Sequence, residues 1–160
     1  MTAKSKTIGV GIIGLGMGVN ALRINADLNS ALQVRAICDV NTDSIARVAD
    51  QFPEENLFTT TEYRELLDRS DIDVVGIYSP DHLHITHLTD ALSAGKHVMC
   101  TKPLGVDLDE ARDLLDLASS SGLVHAIDQN NRFVPVTRFA KSLIDAGTIG
   151  TPLFASSSMF

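Results

Sequence analysis

Cysteine is scarce in this chain of 160 residues, which carries only Cys38 and Cys100. Each ends an apolar run that reads as a buried strand, which suits small, reduced core thiols in a cytosolic compartment better than a disulfide framework. Positive charge is scarce as well: 13 Lys and Arg stand against 20 Asp and Glu, for a formal charge of −7 and a pI near 5.0. With no Lys/Arg cluster to offset that balance, phosphate backbones and anionic lipid surfaces are repelled, and neither a nucleic-acid nor a membrane partner is expected. Long apolar runs are missing too. The stretch from Ile8 to Val19 follows Lys4 and Lys6 in the manner of a secretory signal, but Gly9, Gly11, Gly14, Gly16 and Gly18 interrupt it. It is too short for a membrane span, and no small-residue cleavage site of the usual form follows. A soluble, cytoplasmic protein is expected. There is no internal repeat and no low-complexity segment.

What is present is enough apolar material, 44% of residues, to bury one good core. Apolar runs rich in β-branched residues alternate with segments of helical period, the pattern of βαβ units around a parallel sheet. Strands are expected at Thr7–Ile13, Val34–Asp39, Asp73–Tyr78, His97–Cys100 and Leu123–Ile127, with a short one near Leu57–Phe58. None alternates with polar residues, so they belong inside a sheet covered by helices on both faces. Ile45, Val48, Ala49 and Phe52 fall on one helical face, as do Ala111, Leu114, Leu115 and Ala118 after a capping Asp107, and Val136, Phe139, Ala140, Leu143 and Ile144. Thr59 and Glu62 have capping-box spacing before Leu66 and Leu67, and Asp81 is positioned to cap a helix carrying Ile85, Leu88 and Leu92. The fold class expected is α/β, a doubly wound parallel sheet. Gly147 and Gly150 punctuate the last helix, and Thr151–Phe160 reads as the start of a strand with no visible partner. Residues 1–150 are therefore expected to form one domain, and 151–160 read as the cut start of a second domain or as dependent on another chain.

The first strand runs into Gly14-Leu15-Gly16-Met17-Gly18-Val19 and then a helical segment through Leu22 and Leu28. This strand–turn–helix context is the one a dinucleotide-binding fingerprint requires. Gly14 permits the tight turn, Gly16 lets the backbone approach a pyrophosphate, and the helix start stabilises negative charge. Leu15, Met17 and Gly18 complete the turn, although strict spacing puts the third glycine at position 19, where this chain has Val19. An ordinary glycine-rich turn is the plainer alternative. Asp39, ending the second strand, weighs against it, because a carboxylate there accepts from the adenosine ribose hydroxyls and repels a 2′-phosphate. No Arg follows in Val40-Asn41-Thr42, so NAD is expected in preference to NADP.

Ser79-Pro80-Asp81-His82-Leu83-His84, then Ala94-Gly95-Lys96-His97-Val98, Thr101-Lys102-Pro103, Gln129-Asn130-Asn131-Arg132-Phe133 and Lys141–Gly150 together resemble the Gfo/Idh/MocA oxidoreductases over nearly the whole chain. That resemblance implies an NAD(P)-dependent oxidoreductase acting on a secondary alcohol of a sugar, polyol or related small molecule. It makes Lys102 the candidate catalytic residue, contacting the substrate hydroxyl beside the nicotinamide, with Pro103 often in a cis peptide bond. Ser79, Pro80, Asp81, His84, Thr101, Lys102 and Asn130 become candidates for cofactor binding. Thr101 replaces the family's usual Glu and Asp81 its more usual Asn. By resemblance, a C-terminal domain supplies the remaining catalytic groups and a homo-oligomer interface, so the isolated chain is expected to bind cofactor but turn over substrate poorly.

His82, His84 and His87 lie close together, yet no further ligand at a convincing spacing accompanies them, and no metal is expected. Two other functions remain open at this stage. A non-catalytic NAD-binding sensor would account for Thr101 but not for Lys102. An S-adenosylmethionine-binding protein would share the glycine turn and the strand-two acid, but does not explain the Lys-Pro segment.

Overall fold

The computed structural model describes residues 7–22, 31–53 and 56–156. The chain divides into two compact units, the first ending at Asp128 and the second beginning at Gln129. The first unit contains six parallel strands: β1 (Ile8–Ile13), β2 (Leu32–Cys38), β3 (Phe58–Thr60), β4 (Val74–Ile77), β5 (His97–Thr101) and β6 (His125–Asp128). Their order, β3-β2-β1-β4-β5-β6, is that of a doubly wound sheet, in which the direction of travel reverses between β1 and β4. The strands are apolar on both sides because both faces are covered. Ile12, Val34 and Ile37 pack with Val48 on one face, while Ile13, Ala36, Val75 and Ile77 pack with Leu66, Leu88 and Leu114 on the other. Leu66 is wholly inaccessible to solvent.

The helices are α1 (Thr42–Gln51), α2 (Tyr63–Leu67), α3 (His84–Ser93) and α4 (Leu108–Ser121). Residues 19–22, after the glycine turn, are also helical; the remainder of the segment expected through Leu28 lies outside the described residues. Asp107 caps α4 as its spacing predicts, accepting from the amides of Asp109 and Glu110 at 2.9 and 3.0 Å. Gly122, at φ 69°, ends that helix in the left-handed conformation. It delays β6 to His125, two residues later than the apolar run suggests.

Both of the other expected caps are corrected. At α2 the N-cap residue is Glu62 and no side chain caps the helix; Thr60 instead lies beside its start, its hydroxyl accepting from the Glu62 amide at 2.9 Å and donating to the Glu65 carboxylate at 2.6 Å. Thr60 ends β3 facing inward, opposite Cys38, and a one-residue difference in a strand exchanges faces. At α3, Asp81 opens a short 3₁₀ turn (Asp81–Leu83), and the helix begins only at His84 without a side-chain cap. Backbone carbonyls meet the demand instead, the Leu83 amide donating to Pro80 at 2.9 Å.

In the second unit, a 3₁₀ turn (Asn130–Arg132) leads to α5 (Pro135–Asp145), which carries Pro in its first turn. Gly147 and Gly150 follow at φ 67° and 70°. Residues 151–156, expected to begin a strand, have no regular secondary structure, and 157–160 lie outside the described residues.

Candidate functional site: a cleft at the carboxyl ends of the strands

The glycine turn leaves β1 where the sheet order reverses. Gly14 has φ +89°, and a Cβ there would stand 2.5 Å from the Tyr78 carbonyl oxygen. Around Gly16 the opposite holds, since a Cβ would meet no atom within 4 Å, and the backbone is open to an approaching group. Gly18 resolves the irregular spacing. A Cβ at this position would collide with the Gly14 carbonyl oxygen and come within 2.9 Å of Ile12, so Gly18 supplies the close turn–helix contact one place early. Leu15 contributes through its backbone, its side chain being buried in the core, whereas the Met17 side chain is exposed.

Asp39 ties this turn to β2. One carboxylate oxygen accepts from the Leu15 amide at 2.7 Å and the other from the Asn41 amide at 2.9 Å. Each oxygen has a second lone pair, which leaves acceptor capacity toward the cleft.

A cavity of about 690 Å³ opens over these groups. Gly14, Gly16, Asp39 and Val40 form one side, and Ser79, Pro80 and Leu83 another. Thr61, Glu62, Tyr63 and His87 close it; Thr61 and Tyr63 were not singled out from the sequence, and Glu62 and His87 were read there only as a helix-start residue and a weak metal candidate. The signal available for the first three was their place immediately beyond β3, because ligands of open α/β sheets bind outside the carboxyl ends of the strands. Among the described residues no Lys or Arg lines the cavity.

Ser79 is buried, and its hydroxyl lies 2.9 Å from Nδ1 of His87. The Tyr63 ring leans on that imidazole with centroids 4.3 Å apart, while its hydroxyl donates to Asp90 at 2.6 Å. Burial pushes the His87 pKa below the ordinary imidazole value, against an opposing pull from Asp90, while His84 and Arg64 push it the same way as burial. Burial, assisted by the hydrogen bond to Asp90, pushes the Tyr63 phenol up to about 12. Cys38 also borders the cavity; burial first, then Asp39, Glu62 and Glu65, push its thiol up to about 12, and burial does the same to Cys100. Both remain protonated and unreactive at neutral pH.

His84 requires a correction. Expected at the cofactor, it is completely buried, with Nδ1 2.7 Å from the Pro103 carbonyl oxygen and Nε2 2.8 Å from that of Ser79. No ring nitrogen is left for a ligand, and His84 instead ties the loop after β4 to the loop after β5. That second loop begins with Thr101, buried at the end of β5, and continues into an exposed Lys102 whose peptide bond to Pro103 is cis. Asp81 is exposed beside the first loop. Asn130 opens the 3₁₀ turn of the second unit. His82 is exposed, and among the described residues no group of three or more His, Cys, Asp or Glu is placed to hold a metal ion.

A family described as oxidoreductases with an NAD-binding Rossmann fold matches residues 8–129, the span that holds the glycine turn, Asp39 and the cleft. The chain belongs to the Gfo/Idh/MocA family. Within that family it is 37% identical to levoglucosan dehydrogenase of Pseudarthrobacter phenanthrenivorans, over 75% of this chain and 30% of that protein. It is 32% identical to inositol 2-dehydrogenase 3 of Saccharopolyspora erythraea, over 93% of this chain and 44% of the relative. Among solved structures, scyllo-inositol dehydrogenase of Lactobacillus casei with bound NAD(H) and scyllo-inositol superposes with a TM-score of 0.81 at 30% identity, covering 91% of this chain and 43% of that one. The chain thus spans less than half the length of each of these Gfo/Idh/MocA relatives.

Proposed function

We infer that this chain is the cofactor-binding part of an NAD-dependent dehydrogenase that oxidises a secondary alcohol on a sugar, polyol or related small molecule. One observation carries the reading: the glycine turn and Asp39 meet in a single cleft at the point where the strand order reverses. The open backbone at Gly16 accommodates a pyrophosphate, and Asp39 keeps lone pairs for ribose hydroxyls. Asp39 and Glu62 line the cleft without any Lys or Arg among the described residues, an electrostatic setting that disfavours the extra phosphate of NADP. Inositol and levoglucosan dehydrogenases among the relatives support the substrate class and favour a catalyst over a binding-only sensor.

When bound, NAD supplies the hydride acceptor for alcohol oxidation. In this proposal the chain binds and orients it. Lys102, exposed beyond β5, polarises the substrate hydroxyl and assists proton transfer, and buried Thr101 stands where the family usually has Glu. Ser79, Pro80 and Asp81 form the loop over the cofactor, and Asn130 is assigned to cofactor binding by its family motif alone. The proposal extends to a cofactor domain over residues 1–150, a substrate domain from 151 onward, homo-oligomerisation and a cytoplasmic location.

The test is a screen of polyols and sugars with NAD, following nicotinamide reduction by the longer protein that contains this chain. Lys102→Ala should lower kcat at least a hundredfold, in the range typical of general acid–base groups. Undiminished turnover in the variant would remove Lys102 from the mechanism.

A further inference from the structure

The wall formed by Ser79, His87 and Tyr63 is more elaborate than a cofactor cleft needs for shape alone. Among the described residues Ser79 Oγ has no other hydrogen-bond partner, and it lies 2.9 Å from Nδ1 of His87, a bond that either neutral tautomer of the ring makes. Nε2 is then the donor in one tautomer and the acceptor in the other, and in both it offers one hydrogen bond. Tyr63 restricts the ring from the side, and is itself held by its hydrogen bond to Asp90, the carboxylate that Arg64 also reaches at 2.7 Å. The imidazole is thereby oriented by groups on α2, α3 and the loop after β4.

Among the described residues Nε2 has no protein partner. Among the described residues, no fully buried side-chain nitrogen or oxygen lacks one, so Nε2 retains access to solvent although His87 as a whole is only 7% exposed. His87 borders the large cavity, which is where that access lies. The structure therefore leaves one hydrogen-bonding ring nitrogen at a cavity whose lining also includes Val40, Thr61, Glu62, Tyr63, Pro80 and Leu83. A flat ring with nitrogens on its edge matches the apolar members of that lining; an anionic phosphate beside Glu62 does not.

Position along the sheet selects the base. This lining lies beyond β2, β3 and β4, on the Asp39 side of the glycine turn, whereas Lys102 follows β5. With pyrophosphate at the turn and ribose at Asp39, the base on this side is the adenine. We propose that His87 reads the adenine of the cofactor through a hydrogen bond between Nε2 and a nitrogen on the edge of the base, with Ser79 and Tyr63 as positioning residues. This rests on the NAD-binding reading and deepens it.

The experiment is calorimetric titration of the intact chain with NAD, ADP-ribose and nicotinamide mononucleotide, for the wild type, His87→Phe and His87→Gln. The expected result is a loss of about tenfold in affinity for NAD and for ADP-ribose in His87→Phe, by the same factor, as for one buried hydrogen bond. Affinity for the mononucleotide should not change, and His87→Gln, which keeps a hydrogen-bonding amide, should recover part of the loss. Unchanged ADP-ribose affinity, or an equal loss with the mononucleotide, would overturn the proposal while leaving NAD binding intact. Failure of the wild type to bind any adenine nucleotide would remove both. Should a variant fail to fold, nitrogen NMR of the wild type decides: ADP-ribose must shift the Nε2 resonance of His87, and an unmoved resonance rejects the contact.

Discussion

The carboxylate of Asp39 accepts the amide hydrogen of Leu15 at 2.7 Å, so the acid just after β2 also holds the glycine turn that follows β1. In the proposed function, cofactor specificity and turn geometry are thereby coupled through one side chain. Replacing it with Ala removes charge-assisted bonds to two amides, those of Leu15 and Asn41. Asp39→Ala should lower stability by about 1–2 kcal/mol in chemical denaturation, the partial exposure of the site moderating the loss. Asp39→Asn, which keeps an acceptor, should retain most of it.

Gly18→Ala tests whether the displaced third glycine is structural. Its methyl would collide with a backbone carbonyl, that of Gly14, which cannot rotate away. A loss of about 1–3 kcal/mol is expected in thermal or denaturant unfolding, the usual cost of overpacking. A neutral substitution would mean that the turn is looser than described.

At His84 the prediction concerns a completely buried ring between two carbonyls. His84→Ala removes the N–H that the ring donates to one of the Ser79 and Pro103 carbonyls and opens a cavity. The chain should lose roughly 2–5 kcal/mol of stability. Loss of cofactor affinity without loss of stability would restore His84 to the ligand-contact role expected from the sequence.

The lowered pKa of His87 has a definite sign in stability. Below the ordinary value of 6.5 the unfolded chain takes up a proton that the fold resists, so the unfolded state binds more protons and is favoured. Stability should therefore fall as pH drops from about 6.5 toward the lowered folded value, and His87→Gln should flatten that part of the profile. Denaturant midpoints measured between neutral and mildly acidic pH check this.

Much of the architecture was legible because central parallel strands are continuous apolar runs, and Ile8–Ile13 and Val74–Ile77 announce themselves in that way. Gly14, Gly16 and Asp39 were legible because a tight turn and a strand-terminal acid have local signatures. His87 and Tyr63 were not. They meet across two helices with 23 residues between them in sequence, and no spacing rule records such a contact. Thr59 has the capping-box spacing to Glu62, but the helix start has no side-chain cap, and β3, with only three residues, is too short for alternation to show that Thr60 faces inward. His84 was misassigned for a different reason: a histidine buried between loops and one facing a ligand look alike in a string of letters.

The central claim is best tested by calorimetric titration of the purified chain with NAD, NADP and S-adenosylmethionine, comparing wild type with Asp39→Ala. The account predicts preferential binding of NAD and a loss of roughly tenfold or more in the variant, as expected for a charge-assisted ribose contact. Absence of dinucleotide binding, or preferential binding of S-adenosylmethionine, would contradict it.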